Sequence, residues 1–451
     1  MPATDDRQEK VLPIAKSEIA GTAKHFEPLV IEQKKVIDLE TSVTAKYDAK
    51  LEEKIEKKKS EHTYRVFRVV SREAKKFPYG QEARPDGDSR VSVWCSNDYL
   101  GMSHHNKVQS AVTETLCKHG AGAGGTRSIA GTSHYHVNLE KQLAELHRKE
   151  AALLFTSCYV ANDTTLQTLS QQLGAEIYSD SGNHASMIAG IKNSRSPKHI
   201  FKHNSVSHLD SLLSASDPDV PKIVAFESVY SMTGTMSPIG EMCDVAHKHG
   251  ALTFVDEVHA VGLYGANGAG LGEELGLANK IDIVSGTLGK AYGLVGGYIA
   301  GSGPIVDTVR SFGSGLIFTT SIPPMIAAGA SASVKVLASA EGQVLRGRHR
   351  AAVQMLKSKL IEASLPVMEC QSHIVPVFVG DANKVTRLME LLLKDHSIYV
   401  QAIISPTVPK GSELLRFVVT PFHTAEMIDY LVHALDQVWN ELEIPRASPA
   451  A

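Results

Sequence analysis

The sequence predicts an α/β protein: a large domain on a mostly parallel sheet, with a smaller C-terminal α/β domain. Three observations carry this. Short apolar runs of strand length, Ala151–Phe155, Ile223–Phe226, Leu252–Val255, Ile281–Val284 and Tyr298–Ala300, are interleaved with helical patterns at 106–119, 138–149 and 238–249. The runs lack polar alternation, as strands do when helices cover both faces of a parallel sheet. Beyond residue 335 a long helical stretch leads to SHIVPVFVG (372–380), a helix at 382–395 and LLRFVVT (414–420), a smaller set of the same parts.

Taken in chain order, residues 1–45 mix charges with Thr, Ser and Ala without periodicity and are expected to form a mobile arm. Residues 46–105 form an N-terminal segment that contributes to the substrate site. It opens with a Lys/Glu-rich stretch in which Tyr47, Leu51 and Ile55 draw one narrow apolar stripe along a surface helix. The large domain is expected over 106–335, the small domain over 336–443, and a tail over 444–451. No repeat or low-complexity tract appears.

Of the 451 residues, 43% are hydrophobic and 21% charged, with a formal net charge of −3. That balance argues against a dedicated nucleic-acid or polybasic membrane binder, because phosphate binding needs clustered positive charge. Cys95, Cys117, Cys158, Cys243 and Cys370 are too scattered for a disulfide framework, and no CxxC pair supports zinc. They read as reduced thiols of an intracellular protein, with no metal site expected. No apolar run approaches the ~20 residues of a membrane-spanning helix. The opening MPATDDRQEK is too acidic for a transit peptide and lacks the apolar centre of a secretory signal.

Four motifs could carry chemistry. Gly120–Arg127 (GAGAGGTR) contains GxGxxG, but it follows a helix and precedes a loop, the reverse of a dinucleotide fingerprint. What survives is a backbone that approaches something closely. Ser285–Gly293 (SGTLGKAYG) resembles a P-loop, yet Val284 stands where the first Gly belongs and Ala291 where Ser or Thr belongs. Lys290, after a strand end with Thr287 and Leu288 near it, could instead be a desolvated amine able to form an imine with a carbonyl. Asp256 ends the run Leu252–Val255, the strand edge at which open α/β sheets bind ligands. It could be a helix cap, a metal ligand, or the partner of a protonated ring nitrogen; with His259 and Lys290 after successive strands, the last is favoured. His184, in YSDSGNHAS, is either a structural histidine or one that stacks on a cofactor ring.

These segments resemble the 5-aminolevulinate synthases, in the α-oxoamine synthase group of pyridoxal-phosphate enzymes. The resemblance rests on HTYRVF (62–67), VWCSNDYLGM (93–102), Gly120–Arg127, SCYVAND (157–163), NHASM (183–187), Asp256–Gly265, Gly286–Lys290 and FTTSIPP (318–324), and spans about 62–443. It implies the aspartate aminotransferase-like fold of type I pyridoxal-phosphate transferases, and condensation of glycine with succinyl-CoA in a homodimer with shared sites. It further implies the mitochondrial matrix, where eukaryotic members work. Carried over by position, Lys290 would form the imine with pyridoxal 5'-phosphate and Asp256 would pair with its ring nitrogen. His259 would bond the ring hydroxyl and His184 would stack on the ring. Cys158, Tyr159 and Thr287, with Thr319 and Thr320 of the neighbouring subunit, would hold the phosphate. Arg416, Asn97 and Ser231 would grip the glycine carboxylate, and Arg65 and Thr126 the succinyl carboxylate. Ser179, Lys198 and Thr407 would contact the acyl-CoA.

Three positions depart from the family pattern. Ser128 replaces an Asn that helps hold the succinyl carboxylate, Ile404-Ser405 alter a loop that closes over substrates, and Val419 stands where Pro is commoner. None is a cofactor residue, so they bear on acyl preference and rate rather than on reaction class.

Overall fold

A computed structural model describes residues 43–85 and 87–446, in two units, Met1–Tyr64 and Arg65–Ala451. The described part of the first unit is chiefly the helix Val43–Ser60, with Lys57, Lys58 and Lys59 in its last turn, where cations suit the carbonyl end of the helix dipole. The stripe residues Tyr47, Leu51 and Ile55 are exposed. The mobile arm expected over 1–45 lies outside the described residues as far as 42, and the tail from 447.

The second unit opens with β1 (Val70–Arg72), β2 (Tyr79–Glu82) and β3 (Ser89–Val93), an antiparallel meander. Seven strands then build the main sheet: β4 (Ala151–Phe155), β5 (Glu176–Asp180), β6 (Lys198–Phe201), β7 (Lys222–Glu227), β8 (Ala251–Asp256), β9 (Ile283–Thr287) and β10 (Gly297–Gly301). Their order is β4-β10-β9-β8-β7-β5-β6; β10 runs antiparallel to both neighbours and the pairs from β9 to β6 are parallel. Alternate residues feed opposite cores, which explains the unbroken apolar runs. Val224, Phe226, Val255 and Val284 enter one core, while Ile223, Ala225, Phe254 and Ile283 enter the other.

Two boundaries differ from the sequence reading. The apolar run 281–284 ends early, yet β9 continues through Ser285, Gly286 and Thr287, all buried and paired with β8 or β10. Ladder pairing there overrides polarity, and Gly286 is required because a Cβ would lie 2.3 Å from the Tyr298 ring. The helix expected at 138–149 runs from His134 to His147, because Ser133 and His136 form a reciprocal cap upstream of the apolar pattern.

Toward the C-terminus come β11 (Val375–Phe378), β12 (Ile398–Tyr399), β13 (Ala402–Ile403) and β14 (Leu414–Phe417). The order β11-β14-β13 is antiparallel, over a separate core that includes Leu356, Leu392, Phe417 and Trp439. The strand β12 instead pairs in parallel with β3, so a C-terminal strand completes the N-terminal sheet.

One close approach sets the start of the helix Cys158–Leu173. A Cβ on Gly297, in β10, would stand 2.3 Å from the Cys158 nitrogen. Gly297→Ala is therefore expected to lower stability by about 1–3 kcal/mol through overpacking, read as a lower melting temperature; an unchanged melting curve would show that the contact relaxes freely.

Candidate active site

Parallel strands bring their C-terminal ends to one edge of the sheet, and the candidate residues gather there. Glu227 ends β7 in register with Asp256 of β8, which is in register with Ser285 of β9. Asp256 is 3% exposed. Its Oδ2 accepts from Asn162 Nδ2 at 2.6 Å and its Oδ1 from the Val258 N–H at 2.8 Å. Burial raises its pKa, against the opposing pull of the Val258 N–H, His184 and Asn162. Both hydrogen-bond donors are neutral, so this buried acid calls for a cation that its own bonds do not supply.

Lys290 follows β9 by three residues and makes no side-chain hydrogen bond to another described residue. Burial lowers its pKa, opposed by Cys158 and Asp256. His259 is buried, with Nδ1 2.9 Å from the Tyr99 hydroxyl. Burial first, then Lys290 and Arg416, hold its pKa well below the usual range, so the ring is neutral. His184 caps the helix Ala185–Ser194: its Nδ1 accepts the Ser186 N–H at 3.2 Å, and the Ser186 hydroxyl accepts from Asn162 Nδ2 at 3.0 Å. A continuous polar chain thus joins His184 to Asp256 through Ser186 and Asn162.

The helix Cys158–Leu173 begins at the same edge. Its cap, Ser157, accepts the Val160 N–H at 3.2 Å. Helix starts of this kind hold anions, because their first N–H groups lack intrahelical partners. Cys158 is buried and Tyr159 is 48% exposed. Thr287 donates to the Gly296 carbonyl at 3.2 Å and accepts the Gly289 N–H at 3.1 Å.

Arg416, on β14, is 8% exposed, with Nη2 2.6 Å from Asn97 Oδ1 and Nη1 3.2 Å from the Ser231 carbonyl. Ser231 therefore meets it through backbone rather than hydroxyl. Among the described residues no carboxylate pairs with this guanidinium. Arg65 donates from Nη2 to the Thr407 hydroxyl at 2.6 Å, both residues being exposed. The Thr126 and Ser128 hydroxyls lie 3.2 Å apart. Thr320 forms a backbone bridge to Thr126, and Thr319 lines the same recess as Arg127, Phe155 and Thr156. Two candidates stand apart from this cluster. Ser179 is 1% exposed, its hydroxyl taken by Asn183 Nδ2 at 2.9 Å. Lys198 is exposed at the start of β6, in register with Ile177 and so at the opposite end of the strands from Asp256.

Sequence reasoning missed three participants. Asn162 and Tyr99 lie within quoted motifs but have no role until the fold sets them beside Asp256 and His259. Glu227, 4% exposed, ends an apolar strand as Asp256 does, a signal that could have found it. Burial together with Asp256 drives its pKa well above the usual range.

Pyridoxal phosphate fits these residues: a buried acid lacking a bonded cation for the ring nitrogen, an unbonded amine, and a helix start for the phosphate. Residues 89–435 match the family described as aminotransferase class I and II. A Gallus gallus protein named 5-aminolevulinate synthase, non-specific, mitochondrial, is 56% identical over 436 residues, 94% of this chain and 69% of that protein. The erythroid-specific mitochondrial synthase of Danio rerio is 58% identical over 410 residues, 90% of this chain and 70% of its own length. The chain belongs to the 5-aminolevulinate synthase family. Among solved structures, SPT with PLP superposes at TM-score 0.82 and 30% identity, over 90% of this chain and 100% of that one. The serine palmitoyltransferase of Sphingomonas wittichii gives TM-score 0.81 and 28% identity, with shares of 90% and 100%. This member of the synthase family is accordingly a pyridoxal-phosphate-dependent transferase with the aspartate aminotransferase-like fold. Among the described residues, no helix is long and apolar enough to cross a membrane and no side-chain cluster could hold a metal.

The depressed Lys290 pKa has a direct consequence for the cofactor-free protein. At neutral pH reductive alkylation should modify Lys290 ahead of exposed lysines such as Lys198, and the labelling should fall as pH drops through the Lys290 pKa. Because Asp256 raises that pKa, Asp256→Asn should move the labelling curve to lower pH. Peptide mass spectrometry across a pH series checks both the order and the direction.

Proposed function

We propose that the chain is a 5-aminolevulinate synthase, condensing glycine with succinyl-CoA to 5-aminolevulinate, CoA and carbon dioxide at the start of tetrapyrrole formation. The named relatives place the activity in mitochondria. The observation that carries the reading is the pairing of an unbonded Lys290 amine with a buried Arg416 that lacks a carboxylate partner.

Each residue then has a task. Asn97 and the Ser231 carbonyl hold the Arg416 fork in place, and the guanidinium accepts the glycine carboxylate bidentately. When bound, pyridoxal phosphate supplies the electron sink that makes the glycine α-proton removable. Asp256 would lie beside the ring nitrogen and favour its protonated state, since an opposite charge within ~4–6 Å stabilises the charged form. Neutral His259 would donate a hydrogen bond to the ring hydroxyl, and His184 would cover the ring face. Lys290 Nζ, its pKa lowered by burial, takes the α-proton. The glycine carbon attacks the thioester carbonyl and the CoA sulfur leaves, ending as the thiol with the proton that Lys290 took; the glycine carboxylate then departs as carbon dioxide, and a proton from water returns to that carbon to give 5-aminolevulinate.

Substrate recognition at the far end rests on Arg65, Thr407, Thr126 and Ser128. A homodimer is part of the reading: Tyr159, Val295, Phe312 and Phe318 are exposed at 48, 59, 59 and 81%, apolar area that association would cover. Thr319 and Thr320 would then serve the partner's phosphate site. Phe318→Asp is expected to shift the chain toward monomer and to weaken cofactor retention, followed by light scattering and visible absorbance.

A second reading, a sister synthase taking another acyl-CoA, is favoured by Ser128, whose short hydroxyl faces Thr126. CoA thiol release with glycine, comparing succinyl-CoA with acetyl-CoA and using Lys290→Ala as blank, separates the two. Succinyl preference, abolished by Lys290→Ala, is the expected result. Ser128→Asn should sharpen that preference roughly fivefold, the worth of one neutral hydrogen bond. Equal or reversed preference would assign the sister activity, and a coloured protein without turnover would be an idle homologue.

A further inference from the structure

Behind His259 lies a buried group of rings that the reaction above does not use: Tyr99, Tyr264, His349 and His373, each no more than 8% exposed. Their hydrogen bonds fix the proton positions almost completely. The His373 backbone N–H donates to the Tyr264 hydroxyl oxygen at 3.1 Å. That hydroxyl has one proton of its own, and His373 Nδ1 lies 3.1 Å away as its acceptor. The His373 ring proton is thereby placed on Nε2. The Nε2 atoms of His373 and His349 are both buried without a partner, in rings whose centroids are 5.7 Å apart.

The His373 ring meets the Tyr99 ring edge-on, with centroids 4.7 Å apart and planes at 80°. This contact sets the attitude of Tyr99, whose hydroxyl has two acceptors to choose from: His259 Nδ1 at 2.9 Å and Asn97 Oδ1 at 3.4 Å. Asn97 Oδ1 already accepts from Arg416 at 2.6 Å. The shorter, uncommitted partner wins, and the Tyr99 proton goes to His259 Nδ1.

We propose that Tyr264 and His373 are positioning residues which, by holding Tyr99, lock His259 in the tautomer that donates from Nε2. The proposal rests on the reading of His259 as the partner of the ring hydroxyl. It also ties cofactor to substrate arm, because His373 leads into β11, where Pro376 is in register with Arg416. A displacement of the antiparallel β11–β14 pair would move the carboxylate grip and the histidine lock together. Burial depresses the pKa of His259, His349 and His373 alike, consistent with a relay of neutral rings whose tautomers carry the information.

The test is histidine nitrogen NMR on the full chain, with and without pyridoxal phosphate, beside visible spectra of the loaded enzyme. In the wild type His259 should be protonated at Nε2 in both forms. Tyr264→Phe should give a mixture of His259 tautomers, shift the cofactor absorption band and raise the glycine KM about fivefold, the scale of one hydrogen bond. His373→Ala, which removes the ring packed edge-on against Tyr99, should likewise release His259 from Nε2. A wild-type His259 protonated at Nδ1 overturns the proposal, with no variant needed. So does a Tyr264→Phe protein in which tautomer and spectrum stay unchanged. Loss of the synthase reading alone would show instead as absent CoA release with the His259 tautomer intact.

Discussion

Much of the site can be traced to one awkward fact, a carboxylate buried at the end of a central strand with only neutral donors bonded to it. An isolated ionised acid is strongly disfavoured in such a place, and burial accordingly raises the Asp256 pKa. Asn162 and the Val258 N–H soften the cost without neutralising the charge. On the proposed function a cationic ring nitrogen would complete the balance, so that cofactor affinity and electronic control of the cofactor would come from the same interaction. Glu227, beside Asp256 in register, sharpens it. Burial and the neighbouring Asp256 drive the Glu227 pKa up in turn, so the two carboxyls favour a single negative charge between them.

The same burial treats acids and bases in opposite ways, and the chemistry uses both. Lys290 is pushed toward the free amine that can bond a carbonyl and accept a proton, while His259 is kept neutral and able to donate. Arg416 contributes a guanidinium held by Asn97 and the Ser231 carbonyl, so a cation suited to a carboxylate lies in the same site as an amine that burial favours in its free form. Packing secures this arrangement: Gly297 pressed on Cys158 and Gly286 beneath Tyr298 place the helix start and β9 to within a side chain's width.

Much of this was legible in the sequence because parallel sheets read plainly. Unbroken apolar runs ending in Asp256, or followed by Lys290, locate the ligand edge before any coordinates exist. The end of β9 was not legible: Ser285, Gly286 and Thr287 look like loop and become strand only because β8 and β10 offer them ladder partners. Nor was the early start of the helix at His134, set by a side-chain cap. Roles that depend on distant segments meeting stayed hidden as well. Asn162 and Tyr99 sit inside recognisable motifs, but what they bond is decided by tertiary packing. Ser179 and Lys198 show the converse, since family resemblance gives them a substrate role while the fold buries one and sets the other at the far end of the strands.

The two arginines assigned to carboxylates differ in a way that matches their tasks. Arg416 is buried and held by two oxygens, which fixes the direction of its fork for a substrate that never varies. Removing its partners would leave a buried charge unpaired, a costly change. Arg65 is exposed and bonded to the equally exposed Thr407. An exposed polar contact of that kind contributes little, so exchanging Thr407 for an incoming acyl carboxylate costs little in return. On the proposed function, acyl choice is set in the softer part of the site, among Arg65, Thr407, Thr126 and Ser128. A change such as Ser128 there would alter preference by a modest factor and leave the cofactor machinery intact. Reaction class would then reside in the buried charges and acyl selectivity in the exposed ones, which would allow one to drift while the other is held.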